Sequence, residues 1–266
     1  MGRLRQQDAE KRAESDHGPD FSEALARGLS VITAFDADHR QLTLSDIARA
    51  IDLPRATARR ALYTLTRLGY VEMEGRLFRL APKILRLASA YLTSNLVSRV
   101  LQPACERICE MVDATCSVAV LDGDEVVMVA RASPVRPISV GLGVGYRLPA
   151  FCSALGRVML STLPDDRLDA FFKRLKPVQA TAQTVTDKAR LRQAIFDVRA
   201  NGFALVDQEA EVGFRSLAVP LVRYDGVPVA AMNLGTQIER VSLDTMRNDY
   251  LPVLRRESAR LKEQLI

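Results

Sequence analysis

LTLSDIARAIDLPRATARRALYTLTRLGYV, residues 42–71, is the stretch on which the reading of this chain turns. Leu42-Thr43-Leu44 reads as a short extended piece. Ser45 reads as the cap of a helix over 46–50, with Asp46 placed to favour the positive end of the helix dipole. Ile51-Asp52-Leu53 makes a turn, and Pro54 suits the start of a second helix, where a missing N–H costs little. That helix runs to Leu68 and stops at Gly69. Ile47, Ala48 and Ile51 on the first helix meet Ala58 and Leu62 on the second, and the small Ala48 permits a close crossing. The inward stripe Ala58, Ala61, Leu62, Leu65 and Leu68 leaves Arg55, Ala56, Thr57, Arg59, Arg60, Tyr63 and Arg67 facing out.

A helix whose free face carries arginines, threonine and tyrosine suits the major groove of DNA. Arginine bridges guanine O6 and N7, and threonine touches a thymine methyl or a phosphate. The next residues extend the case. Tyr70–Met73 and Arg76–Leu80 alternate around Glu74-Gly75, a β-hairpin that acts as a wing, with Arg76 and Arg79 near the DNA backbone or minor groove. The candidate DNA-binding residues are Ser45, Arg55, Thr57, Arg59, Arg60, Tyr63, Arg67 and Arg76. A merely solvated surface helix is the bland alternative. The wing and the local excess of arginine over acid argue against it.

Upstream, Leu25, Leu29, Ile32 and Phe35 have helical spacing behind Ser22. Residues 1–20 read as a disordered charged tail; it has no apolar core and so is not a secretory signal, and Gln6 spoils a myristoylation motif at Gly2. Downstream, Pro82 opens a linker helix, and a further helix over 97–112 enters a second domain. The expected organisation is a tail over 1–20, a winged helix-turn-helix over 21–81, a linker helix over 82–96 and an effector-binding domain over 97–266. In that domain, hairpins form around Asp122-Gly123-Asp124 and Tyr224-Asp225-Gly226, and Ile138–Leu142 is strand-like. Helices open at Pro149, after Pro164, at Thr186 with a stop at Gly202, and at Leu243 with a bend at Pro252. Hairpins with segregated helices give an α+β fold with an antiparallel sheet.

Composition sets the bounds. The 266 residues, 48% hydrophobic and 26% charged, have an ordinary globular balance and suffice for two domains. A net charge of +5 favours an anionic partner. No apolar run approaches ~18 residues, so no membrane span is expected. Cys105, Cys109, Cys116 and Cys152 form no CxxC pair, and His17 and His39 are the only histidines, so neither a metal site nor a cofactor is expected. The thiols fit a reducing cytoplasm. Gly141-Leu-Gly-Val-Gly145 is followed by Pro149 rather than a helix, which excludes a dinucleotide loop and leaves a sheet-edge turn. An enzyme would need a histidine, a nucleophilic triad or a metal cluster in the second domain, and none is available there.

The order of elements over 42–71, with RLPAFCSALGRVML over 147–160 and DQEAEVGFRSLAVPL over 207–221, resembles the IclR family of bacterial regulators. The 207–220 wording is most similar to the protocatechuate and 4-hydroxybenzoate regulators within that family. Ala210 stands where they usually have Leu. The resemblance implies a winged helix-turn-helix, a linker helix and a GAF-like effector domain. It implies a double-stranded DNA operator, a homodimer or tetramer, and control of an aromatic-acid operon of the β-ketoadipate kind. Activation, with possible contact to RNA polymerase, is the first reading; repression in answer to a different small acid is the second. The effector is expected to be a small aromatic carboxylate or its ring-opened acid. The resemblance places its pocket at the helix start holding Ser153, Ala154 and Leu155, faced by Ser216 and Asn233 and rimmed by Asp207 and Glu209. Free N–H groups at that helix start suit a carboxylate. Arg136 and Arg147 are the expected cations, the two acids are expected to accept from a phenol, and Phe151, Leu155, Leu217 and Met232 are the expected apolar wall.

Overall fold

The computed structural model describes residues 18, 20–36, 39–94, 96–134 and 143–265. The chain divides into two compact units, residues 1–89 and 90–266. Most of the expected tail, the strand expected over 138–142 and Arg136 lie outside the described residues.

In the first unit, helix α1 (Glu23–Thr33) starts at Ser22, whose hydroxyl accepts from the Leu25 N–H at 3.4 Å. A two-residue strand β1 (Leu42–Thr43) leads into α2 (Leu44–Ala50). Thr43, not Ser45, caps α2. Its hydroxyl accepts from the Asp46 N–H (3.3 Å) while the Asp46 carboxylate accepts from the Thr43 N–H (3.2 Å), a reciprocal capping box. The helix starts before Ser45, which therefore sits inside the first turn. Hydrogen bonds from the Thr43 side chain and backbone hold the Asp46 carboxyl below its ordinary value. After the turn comes α3 (Arg55–Arg67), then the hairpin β2 (Val71–Glu74) and β3 (Leu77–Leu80). The three strands pair antiparallel in the order β1-β3-β2. Val31, Ile47, Leu62, Leu65 and Val71 are buried together as one core. Leu68, expected in the inward stripe, falls at the helix C-cap and is 52% exposed.

A 3₁₀ turn (Pro82–Ile84) precedes α4 (Leu85–Ser94), which carries the seam between the units. Helix α5 (Leu96–Val112) follows, with Pro103 inside it. Six strands then form one antiparallel sheet in the order β6-β5-β4-β9-β8-β7. They are β4 (Thr115–Asp122), β5 (Glu125–Ala132), β6 (Arg147–Pro149), β7 (Ala204–Asp207), β8 (Phe214–Val222) and β9 (Pro228–Gln237). Helices α6 (Ala154–Ser161), α7 (Asp165–Arg174) and α8 (Lys188–Asn201) bury Leu155, Phe171 and Ile195 against one face of the sheet. Helix α5 and the last helix, α9 (Leu251–Leu261), bury Leu101, Ile108 and Leu254 in a separate core with Val118, Leu217 and Met232. That core lies on the other face, because β-strand side chains alternate.

Local corrections have plain causes. Asp187, not Thr186, caps α8, because its carboxylate accepts from the Arg190 N–H at 2.8 Å. Gly202, with φ +73°, ends that helix. The bend expected at Pro252 is a widened π turn over Met246–Tyr250, just before the proline. Pro252 has no N–H to offer the carbonyl four residues back, so the preceding turn opens. At Gly156 an added Cβ would lie 2.2 Å from the Ala150 backbone, so only glycine lets α6 pass the 150–152 turn.

Candidate functional site

The first candidate surface is α3. Arg55, Arg59, Arg60, Tyr63 and Arg67 are exposed along it, and Tyr63 is 65% exposed despite its ring. The Arg67 guanidinium lies 6.0 Å from the centre of the Tyr63 ring. Thr57 is half-buried. Thr57 and Arg60 also line a largely apolar groove beside α1, so they stand at the border of the outward face rather than its centre. Arg76 is exposed at the tip of the wing. Arg79 is not available as expected: its Nε donates to Glu72 at 2.9 Å across the hairpin, where register places the two side by side. Ser45 is half-buried in α2.

The second candidate is a cavity of about 230 Å³ in the larger unit. This is below the ~300–1,000 Å³ of pockets for drug-sized ligands, and so suits a small organic molecule. Strands β4 and β5 supply Thr115, Ser117, Met128 and Arg131; β8 and β9 supply Ser216 and Asn233; the start of α6 supplies Ser153, Ala154 and Leu155. The expected Ser153, Ala154, Leu155, Ser216 and Asn233 are thus brought together. The Ser153 hydroxyl is already engaged, donating to the Pro149 carbonyl (3.0 Å) and accepting from the Gly156 N–H (3.1 Å). Asn233 spends its carbonyl oxygen on the Ser117 N–H at 3.1 Å. Its amide nitrogen donates to nothing among the described residues.

The expected cations and acids fare differently. Arg147 is spoken for, with Nε on Glu125 (2.6 Å) and Nη2 on Asp122 (2.7 Å). Those bonds, Glu125 first, push its pKa up. Glu209 is not a rim acceptor. It is buried, receives Arg157 at 2.7 Å and the Val185 N–H at 3.0 Å, and so ties the loop after β7 to α6. Asp207 pairs with Arg215 at 3.0 Å, its antiparallel neighbour on β8. Leu217 and Met232, expected as apolar wall, belong to the core on the opposite face, since each neighbours a residue that faces the cavity. Phe151 is packed in the core with α6. Of the expected wall only Leu155 lines the cavity, joined by Met128, Leu148 and Phe214.

The cavity's cation is Arg131, which the sequence reading missed. Its Nη1 donates to the Ser117 hydroxyl at 3.2 Å, and no carboxylate pairs with it among the described residues. Burial lowers its pKa, with Tyr146 leading smaller opposing effects. A β-bulge explains both its place and its concealment. Val118 pairs with Ala130 but Ala119 pairs with Met128, so one extra residue shifts the alternation and aims Arg131 at the same side as Met128. The four cysteines are buried and form no disulfide. A hydrogen bond with Cys105 and then burial push the Cys116 thiol well up, and burial pushes Cys152 up to about 11.

A winged helix-turn-helix with an arginine-lined outer face, on one chain with a domain enclosing a small cavity that has an apolar wall and a few polar groups, defines a DNA-binding transcription regulator that senses a small molecule. Residues 24–75 match the IclR helix-turn-helix domain, and residues 89–262 match the bacterial transcriptional regulator IclR C-terminal domain. The chain belongs to the IclR family: it is a regulator and not an enzyme. It is 41% identical over 248 residues to the Pca regulon regulatory protein of Pseudomonas putida, covering 93% of this chain and 85% of that one. It is 32% identical to the p-hydroxybenzoate hydroxylase transcriptional activator of Acinetobacter baylyi, covering 91% and 92%. An IclR homologue from Microbacterium hydrocarbonoxydans, solved with 4-hydroxybenzoate, is 26% identical with a TM-score of 0.76, covering 91% and 99%.

Proposed function

We propose that this chain controls an operon for the breakdown of aromatic acids, activating it when a small carboxylate sits on Arg131. The carrying observation is a half-buried guanidinium facing a cavity of about 230 Å³, with no carboxylate bonded to it among the described residues and Glu211 of the cavity lining acting on it only at a distance. A buried cation left without an anion is costly, so the cavity is suited to an anionic occupant. The apolar wall of Met128, Leu148 and Leu155 suits a ring or short chain, and the Asn233 amide and Ser216 hydroxyl suit its oxygens. The relatives supply the operon class: one is named for the Pca regulon, another for p-hydroxybenzoate hydroxylase, and a solved homologue holds 4-hydroxybenzoate. The occupant is a small aromatic carboxylate or its ring-opened acid.

The operator is read by Arg59, Arg60, Tyr63 and Arg67 with Arg55 at the helix start, and Arg76 holds the backbone. Arg136 stays a candidate second cation. Two copies act together, since one winged head gives modest affinity and linkage raises it through effective concentration. Leu25, Leu29 and Leu68, more than half exposed along the groove beside α1, suit burial by a second copy. The protein works in the cytoplasm, where the operator and RNA polymerase are.

The test is a thermal-shift panel of protocatechuate, 4-hydroxybenzoate, β-ketoadipate and muconate, followed by operator footprinting with the acid that binds. An acid at 100 times its Kd stabilises the fold by about 2.7 kcal/mol. That is a rise in melting temperature of roughly 5–10 °C for a unit of this size. If no acid shifts the melting temperature, the reading fails.

A further inference from the structure

Arg131 is gripped from behind the sheet. Strand β6 pairs with β5 only at Glu125–Val127, and Gly145 and Tyr146 extend the cover as far as Met128. Beyond that point the outer edge of β5 has no strand beside it among the described residues. At this open edge one side chain bonds both backbone groups of Arg131. Gln102 Oε1 accepts from the Arg131 N–H at 3.0 Å, and Gln102 Nε2 donates to the Arg131 carbonyl at 3.0 Å. The partners dictate which way the amide points, and a further bond from Nε2 to Glu106 (2.9 Å) holds it there.

Gln102 belongs to α5, whose neighbouring residues Leu101, Cys105 and Ile108 lie in the core on the face opposite the cavity. Arg131 therefore has its guanidinium in the cavity and its peptide on α5. Two features make this grip consequential. In sequence, α4, which carries the boundary with the DNA-reading unit, is followed by α5. Pro103, next to Gln102, removes one helical N–H, so α5 lacks a backbone bond at the turn that holds Arg131.

We infer that Gln102 is a positioning residue that couples an anion seated on Arg131 to helix α5, and through the linker to operator binding. This rests on the reading of the cavity as the effector site. An anion that draws the guanidinium toward itself pulls on a peptide bonded at both of its polar groups to one α5 side chain. Among the described residues, the salt bridge on α5 does not involve Arg131. Arg107, paired with Glu257 at 2.7 Å, is the natural control.

Calorimetry on the full chain tests this with protocatechuate, 4-hydroxybenzoate and β-ketoadipate, each titrated with and without operator DNA. The ratio of the two affinities is the coupling between sites, about 5–150-fold where coupling is typical. In Gln102→Leu the DNA-free affinity stays within about threefold of wild type while the ratio falls to within about twofold of unity. Arg107→Met keeps the wild-type ratio. Gln102→Met, which keeps the length and loses both bonds, serves if the leucine variant does not fold. A folded Gln102 variant with wild-type coupling overturns the inference, and so does equal loss of coupling in Arg107→Met. Failure of wild type to bind any of the three acids instead overturns the effector reading, and the inference with it.

Discussion

Replacing Arg131 by methionine should move effector affinity and free-protein stability in different directions. Methionine keeps much of the length and the contact with the apolar wall, and removes only the charge and its donors. In the free protein the guanidinium is half-buried, bonded to one serine hydroxyl, and its charged form is disfavoured by burial. Removing a partly buried charge that no carboxylate bonds, and that Glu211 offsets only at a distance, is neutral or stabilising. The melting temperature of Arg131→Met without effector should therefore equal or exceed that of wild type. A carboxylate seated on Arg131, however, makes a charge-assisted hydrogen bond, whose net contribution is about 1.5–3 kcal/mol. At 1.4 kcal/mol per factor of ten, the variant should bind its acid about 10- to 150-fold more weakly. Calorimetry supplies the affinity and differential scanning fluorimetry the melting temperature. A variant that melts well below wild type yet binds the acid unchanged would refute the reasoning, because Arg131 would then be a structural residue and the anion would sit elsewhere.

Arg59→Ala should weaken operator binding by about 1–3 kcal/mol and relax one base position per half-site, while Arg76→Ala weakens all sequences alike and flattens the salt dependence; a footprinting titration at two salt concentrations separates the two. Ser153→Asp keeps an oxygen for the Gly156 N–H, gives up the donor to the Pro149 carbonyl and brings a negative charge to the cavity wall. It should abolish acid binding and leave basal operator affinity intact, and equal calorimetric affinity in both proteins would exclude an anion beside Ser153. Glu209→Ala leaves the buried Arg157 unpaired and should cost about 3–5 kcal/mol in urea unfolding; an unchanged midpoint would show the pair to be dispensable.

The helix-turn-helix was legible because its information is local. Pro54, Gly69 and the stripe through Ala58, Leu62 and Leu65 lie within one short stretch and fix helix, turn and buried face together. Thr43 and Ser45 show the limit of that reading: both are capping residues, and only the reciprocal bond with Asp46 selects Thr43. The cavity was half legible. Its walls at Ser153–Leu155, Ser216 and Asn233 came through resemblance, whereas its charges depend on partners distant in sequence. Glu209 looks free until the fold brings Arg157 to it from 52 residues away. Arg147 looks free until register places β6 beside Glu125. Arg131 is hidden for another reason. Counting in twos from Val126 and Met128 sends residue 131 to the face of α5, and only the bulge opposite Val118 and Ala119 returns it to the cavity. A bulge leaves no mark in an apolar run such as Val-Val-Met-Val-Ala.

The same bulge bears on how much response this architecture can deliver. An effector shifts an equilibrium only by the difference between its affinities for the two states. Apolar contacts with Met128 and Leu155 differ little between states if the wall stays packed, so they add affinity without adding response. The Arg131 contact is different, because the residue carrying the charge is also bonded through its peptide to another layer of the domain. Any displacement of α5 that moves Gln102 must carry that peptide with it or break two hydrogen bonds. On the proposed reading, the interaction energy of an anion on Arg131 is therefore a component of binding that is tied to the position of α5. Its size, about 1.5–3 kcal/mol, sets a ceiling near 10- to 150-fold on the change in operator affinity transmitted by this route. Enlarging the apolar wall, for example with Ala154→Val, should then change the effector's Kd while leaving the ratio of its affinities with and without DNA where it was. A ratio that rose in step with the apolar contact would place the coupling in the wall rather than in the charge.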